Sequence, residues 1–152
     1  MQEAIRQSAR RTAICALLLL IIIPIGLAVR LIPLGLPWFL YKYLGSTLWA
    51  IALYWFLATL LPKLRPQALA ALATIIATLL ELSRLIPVAP IDTFRLTFAG
   101  KILLGRYFSI KNIVAYALAI ALTAALDHFL VAPESTDLHT NHTPNPSNRD
   151  TL

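Results

Sequence analysis

Long uncharged apolar stretches alternate along this chain with short segments that carry the charges and most of the prolines. The first apolar stretch runs from Thr12 to Val29, behind a polar lead that holds Arg6, Arg10 and Arg11. At a rise of about 1.5 Å per residue it makes about 27 Å of helix, close to the thickness of a bilayer's hydrocarbon core. A secretory signal also opens on basic residues, but its apolar part is shorter and ends in a small-residue cleavage motif. No Ala-x-Ala motif follows here, so the segment reads as a retained anchor in which Pro24 and Gly26 are tolerated. Three more stretches read as spans, over 44–61, 67–86 and 113–131. The turn Pro62-Lys63-Leu64-Arg65-Pro66 stops one helix and starts the next, which makes the second and third spans antiparallel neighbours.

The connectors differ in character. Residues 30–45 hold Pro33, Gly35 and Pro37, which argue against continuous helix. They also hold Trp38, Phe39, Tyr41 and Tyr43, rings suited to the headgroup level. Residues 88–112 hold Asp92, Arg95, Lys101, Arg106 and Lys111 with Gly100 and Gly105, and 94–108 reads as a surface-lying or re-entrant helix. The fold expected is therefore all-α. It is an integral membrane bundle of about four transmembrane helices over 1–131, with a short amphipathic or re-entrant helix between the third and fourth. Residues 132–152, rich in Pro, Asn, Thr, Ser and His, read as a disordered polar tail.

Composition agrees with that picture. Hydrophobic residues are 59% of the chain and charged residues 13%, against about one half and one quarter in an average soluble domain. The net charge of +6 would raise nucleic acid as a partner of a soluble protein, but no nucleic-acid motif is present. Basic residues at the ends of apolar spans instead suit anionic headgroups. Membrane lipids are the expected partners, and nucleic acid is not. Cys15 is the single cysteine, so no internal disulfide forms, and the thiol reads as a small apolar group. An even number of spans puts both termini on one side. Cations counted over the short connectors favour termini outside, whereas the arginines ahead of the first span favour termini inside, and the second indication is taken.

Few residues can carry chemistry. Glu81 is the acid within the third span, and an unpaired charge there costs about 3 kcal/mol or more. Thr74, Thr78 and Glu81 follow helical spacing and Arg84 lies three residues on, so Arg84 is the nearest candidate partner, with Arg95 and Lys101 as others. Two readings stand: a structural ion pair, or a ligand or proton site. Asp92, Arg95, Lys101 and Arg106, joined by Arg30 and Lys42 from the other connector on that side, form a basic rim able to hold an anionic group such as a lipid phosphate. Asp127 and His128 read as polar residues at a helix end. No catalytic triad order, phosphate loop, dinucleotide fingerprint or zinc pattern is present, so no cofactor or metal is expected.

Three groups of residues resemble a bacterial family of small membrane proteins known as domain of unknown function 2809. They are Lys42-Tyr43-x-Gly45-x-x-Leu48-Trp49-Ala50; Glu81-Leu82-Ser83 with Pro90-x-Asp92-x-x-Arg95-x-Thr97-x-x-Gly100; and Leu104-Gly105-x-x-Phe108-Ser109, ending at Tyr116. Ser46, Arg84 and Asn112 depart from the pattern, where Asp, Gln and Asp are common, and make this site more basic. The order of glutamate, arginine and glycine is also similar to VanZ-like membrane proteins. The resemblance implies a bacterial inner membrane. The function expected is binding of an anionic lipid or lipid-linked phosphate at one membrane face. Glu81 would orient the connector while Arg84, Arg95, Lys101 and Arg106 supply charge. The alternatives are a small transporter or proton-coupled permease that uses Glu81, and an assembly partner with no ligand. A membrane enzyme, which would need Asp92 as its base, is less favoured.

Overall fold

A computed structural model describes residues 2–32, 35, 37–86, 89–103 and 108–130. They form six α-helices: α1 (Gln2–Leu31), α2 (Trp38–Leu60), α3 (Pro66–Leu82), α4 (Ala89–Leu96), α5 (Phe98–Leu103) and α6 (Ile110–Leu130), with a 3-10 turn, Ser83–Leu85, at the end of α3. No strand occurs among the described residues. Four helical segments are long and apolar enough to cross a membrane: Ile5–Leu31, Tyr43–Leu60, Pro66–Leu85 and Ile110–Phe129. The chain is an all-α membrane bundle.

Two helices begin earlier than the apolar pattern predicts. The lead ahead of Thr12 is helical from Gln2, because it contains good helix formers and no glycine or proline, with Glu3 in the first turn. The aromatic cluster falls on the first turns of α2, not in an irregular connector. Pro37 holds an extended backbone (φ −53°, ψ 141°) directly before Trp38, which makes it a helix start and not an interruption. At α3, Pro66 takes the first helical position after an extended Arg65, as its missing N–H allows.

The polar connector folds as two short helices in place of the single one expected over 94–108. They part at Thr97, whose N–H and hydroxyl both donate to the Phe94 carbonyl, at 3.0 and 2.6 Å. A Cβ on Gly100 would overlap the Phe94 carbonyl oxygen and lie 2.8 Å from the Arg95 Cα, so only glycine lets α5 fold back this closely on α4. The expected tail over 132–152 lies outside the described residues, as do Arg106 and the side chains of Lys42 and Lys101.

The bundle has a three-helix centre and one flanking helix. The backbones of α2 and α3 both pack on α6 and on each other; among the described residues, the α1 backbone runs along α2 alone, and those of α4 and α5 approach only one another. On α3 the buried residues Leu69, Ala73, Ala77 and Glu81 recur every fourth position and define one face. Opposite it, α6 turns in Tyr116, Ala119, Ile120 and Ala124, and α2 supplies Ala50, Tyr54, Leu57 and Ala58. Alanine at these contacts lets the helices come close, so that van der Waals packing holds them where lipid removes the hydrophobic drive. The outer surface is apolar: Leu79, Leu118 and Leu122 are each about 60% exposed or more, a pattern that lipid tails solvate at no cost.

Candidate functional site

Two fully buried carboxylates sit at opposite ends of the bundle, each tied to one arginine and one tyrosine. Glu81 occupies the last turn of α3. Its Oε2 pairs with Arg84 at 2.6 Å, one helical turn on, and accepts the Tyr116 hydroxyl at 3.1 Å. Its Oε1 accepts the Ser109 backbone N–H at 2.9 Å and the Asn112 side-chain amide at 3.3 Å. Ser109 opens α6, so the carboxylate sits at the positive end of one helix, while Arg84 sits at the negative end of another. Both oxygens are engaged, and the group staples the C-terminal end of α3 to the N-terminal end of α6.

Arg95 lies at the same end and binds Asp92 and Ser83 in place of Glu81. It is buried, donates to Asp92 Oδ1 at 2.8 Å and to the Ser83 hydroxyl at 3.0 Å, and so ties the α4–α5 hairpin to the end of α3. Asp92 is half exposed. Thr74 and Thr78, predicted to share a polar face with Glu81, are half-buried on the flank, and Ala73 and Ala77 hold that face.

The other end was read from sequence only as a polar helix end, and His128 is indeed exposed there. Asp127, however, is fully buried. Its Oδ2 accepts Arg11 at 2.8 Å and the Tyr54 hydroxyl at 2.7 Å, while its Oδ1 is buried without a hydrogen-bond partner among the described residues. Arg11 also donates to the Pro62 and Leu64 carbonyls at 2.8 and 2.9 Å, capping the turn between α2 and α3. The two partners lie 116 residues apart. No local motif connects them, and only the count of spans, which places Arg11 and Asp127 at the same membrane face, could have suggested the pair.

Arg30 lines one end of an open groove of about 430 Å³ between α1 and α2. Below it the walls are apolar: Leu19, Ile22, Ile23 and Gly26 on α1, with Leu48, Trp49, Ala52 and Phe56 on α2. Leu19 to Arg30 rises about 16 Å along a helix, the depth of one leaflet of a core about 30 Å thick. Trp49, in the wall, also stacks on Tyr116 at 5.5 Å between ring centroids, which joins the groove to the Glu81 staple.

The family described as Protein of unknown function (DUF2809) matches residues 35–120. That range holds Glu81, Ser83, Asp92, Arg95, Ser109 and Tyr116, the residues that converge at one end of the bundle. Helix α1 and Asp127 lie outside it. The VanZ-like similarity finds no support in these comparisons, and no solved structure matches the chain.

Proposed function

Because the chain belongs to the family described as Protein of unknown function (DUF2809), which carries no assigned activity, we propose a role from geometry: the protein binds an anionic membrane lipid at the face that bears Arg30. The observation that carries this reading is the groove between α1 and α2. It is apolar for the depth of one leaflet and ends at a guanidinium, so it matches an acyl chain below a phosphate. Charge supports it. Over residues 30–45 and 81–112 the sequence carries Arg30, Lys42, Arg84, Arg95, Lys101, Arg106 and Lys111 against Glu81 and Asp92. Arg84 and Arg95 are committed to those acids, so this reading centres the phosphate on Arg30, at the end of the groove. The saturated environment of Glu81 favours a staple over a proton carrier. The setting proposed is a bacterial inner membrane with four crossings and cytoplasmic termini, and reporter fusions to each terminus test that orientation.

Native mass spectrometry of protein purified in mild detergent tests the lipid reading. The parent should retain a phospholipid. Arg30→Gln should lose it, and so should Gly45→Phe, because nothing lies within 4 Å of a Cβ at Gly45 and a ring there fills the groove. A parent free of phospholipid, or an Arg30→Gln protein that retains the same lipid to the same extent, sinks the proposal.

A further inference from the structure

We propose that Asp127, which touches no part of the groove, is a positioning residue for it: by holding Arg11, it sets how α1 leans on α2 and so how wide the groove stands. The inference rests on the lipid reading for its functional half and on the bundle's connectivity for its structural half.

Three observations carry it. The groove is built from α1 and α2, and among the described residues α1 comes near no other helix backbone. Towards its N-terminal end its polar anchor is Arg11, which reaches Asp127 on α6 and the Pro62 and Leu64 carbonyls in the turn after α2. Arg11 lies eight residues before the first wall residue, Leu19, or about 12 Å along the helix, so a change in tilt set at this end carries into the groove wall. Pro24 lies inside α1 within the groove-lining segment, and its missing N–H removes a restraining helix bond where bending matters. The Asp127 anchor is also less saturated than the staple at Glu81, with one oxygen carrying both contacts. It acts as a latch on α1 while Glu81 holds the three-helix centre.

A disulfide between Gly26→Cys and Leu48→Cys reads the position of α1 directly. The Cβ separation of 3.7 Å at this pair falls within the span of about 3.5–4.5 Å that a disulfide requires. The background is Cys15→Ala, which leaves no other thiol. The latched protein should cross-link rapidly under mild oxidation. Asp127→Asn, and independently Arg11→Gln/Asp127→Asn, which leaves no lone buried charge, should cross-link about tenfold more slowly, the factor that corresponds to one lost hydrogen bond to a charged group. Cross-linking at the parental rate in both variants overturns the latch. With the groove lining left native, Asp127→Asn and Arg11→Gln/Asp127→Asn should also retain less lipid than the parent. Slowed cross-linking with unchanged lipid retention overturns the link to the groove. If the parent holds no lipid, the lipid reading fails while the cross-linking rates still judge the latch.

Discussion

Glu81→Gln tests whether the staple is a charge pair or only a set of hydrogen bonds. The glutamine carbonyl can still accept from the Ser109 N–H and Asn112, the contacts of Oε1. Its amide then faces Arg84 and Tyr116, the contacts of Oε2. The tyrosine hydroxyl can turn to accept, but a guanidinium has no acceptor and is left buried beside another donor. The loss is therefore that of one partner of a buried ion pair, about 3–5 kcal/mol. In a chain of this size each kcal/mol lowers the melting midpoint by about 2–4 °C, so a fall of about 6 °C or more is expected. Tryptophan fluorescence in detergent follows it well, since Trp49 stacks on Tyr116. Adding Arg84→Gln should recover a substantial part of the loss, because the stranded charge is gone. A Glu81→Gln protein that melts within about 2 °C of its parent refutes the reasoning. If it also loses a pH-dependent uptake into liposomes, Glu81 is a proton site after all.

Two further outcomes follow from single contacts. Gly100→Ala should loosen the α4–α5 hairpin by about 2 kcal/mol, because the neighbour of the new Cβ is backbone that cannot step aside; hydrogen exchange over 89–103 should speed up while the spans stay protected, and unchanged exchange there counts against it. Tyr54→Phe removes a hydroxyl 2.7 Å from Asp127, so the midpoint should drop by about 4–8 °C, for a charge-assisted hydrogen bond of about 2 kcal/mol; an unshifted midpoint would mean that Tyr54 adds nothing to the anchor.

The spans were legible because lipid imposes long apolar runs, and Pro66 marks where α3 starts; Pro37, read as an interruption, instead opens α2. The Arg84 partner of Glu81 was legible because it lies on the same helix three residues away. Ser109, Asn112 and Tyr116 were not, since their contacts depend on how α6 rotates against α3, which no local spacing encodes. Arg95 was read as a cation of the rim and a further candidate partner for Glu81, not as the partner of Ser83 and Asp92 that it is. Its burial against Ser83 arises from the Thr97–Gly100 fold-back, which the glycine hints at but does not specify. The groove was invisible for a related reason. It is a gap between two helices with similar apolar faces; Arg30 was legible as a cation of the rim, but not the apolar cleft that leads to it.

The far separation of Arg11 from Asp127 orders events during synthesis. Glu81 and Arg84 emerge from the ribosome almost together and can neutralise each other as their own helix inserts. Arg11 has to wait for its acid while another 116 residues are made, on the order of 6–23 s at about 5–20 residues per second. Until α6 arrives, that arginine has only the Pro62 and Leu64 carbonyls to hold, and a newborn chain shortened before Asp127 would reach the bilayer with its first helix packed on α2 but never fastened to α6.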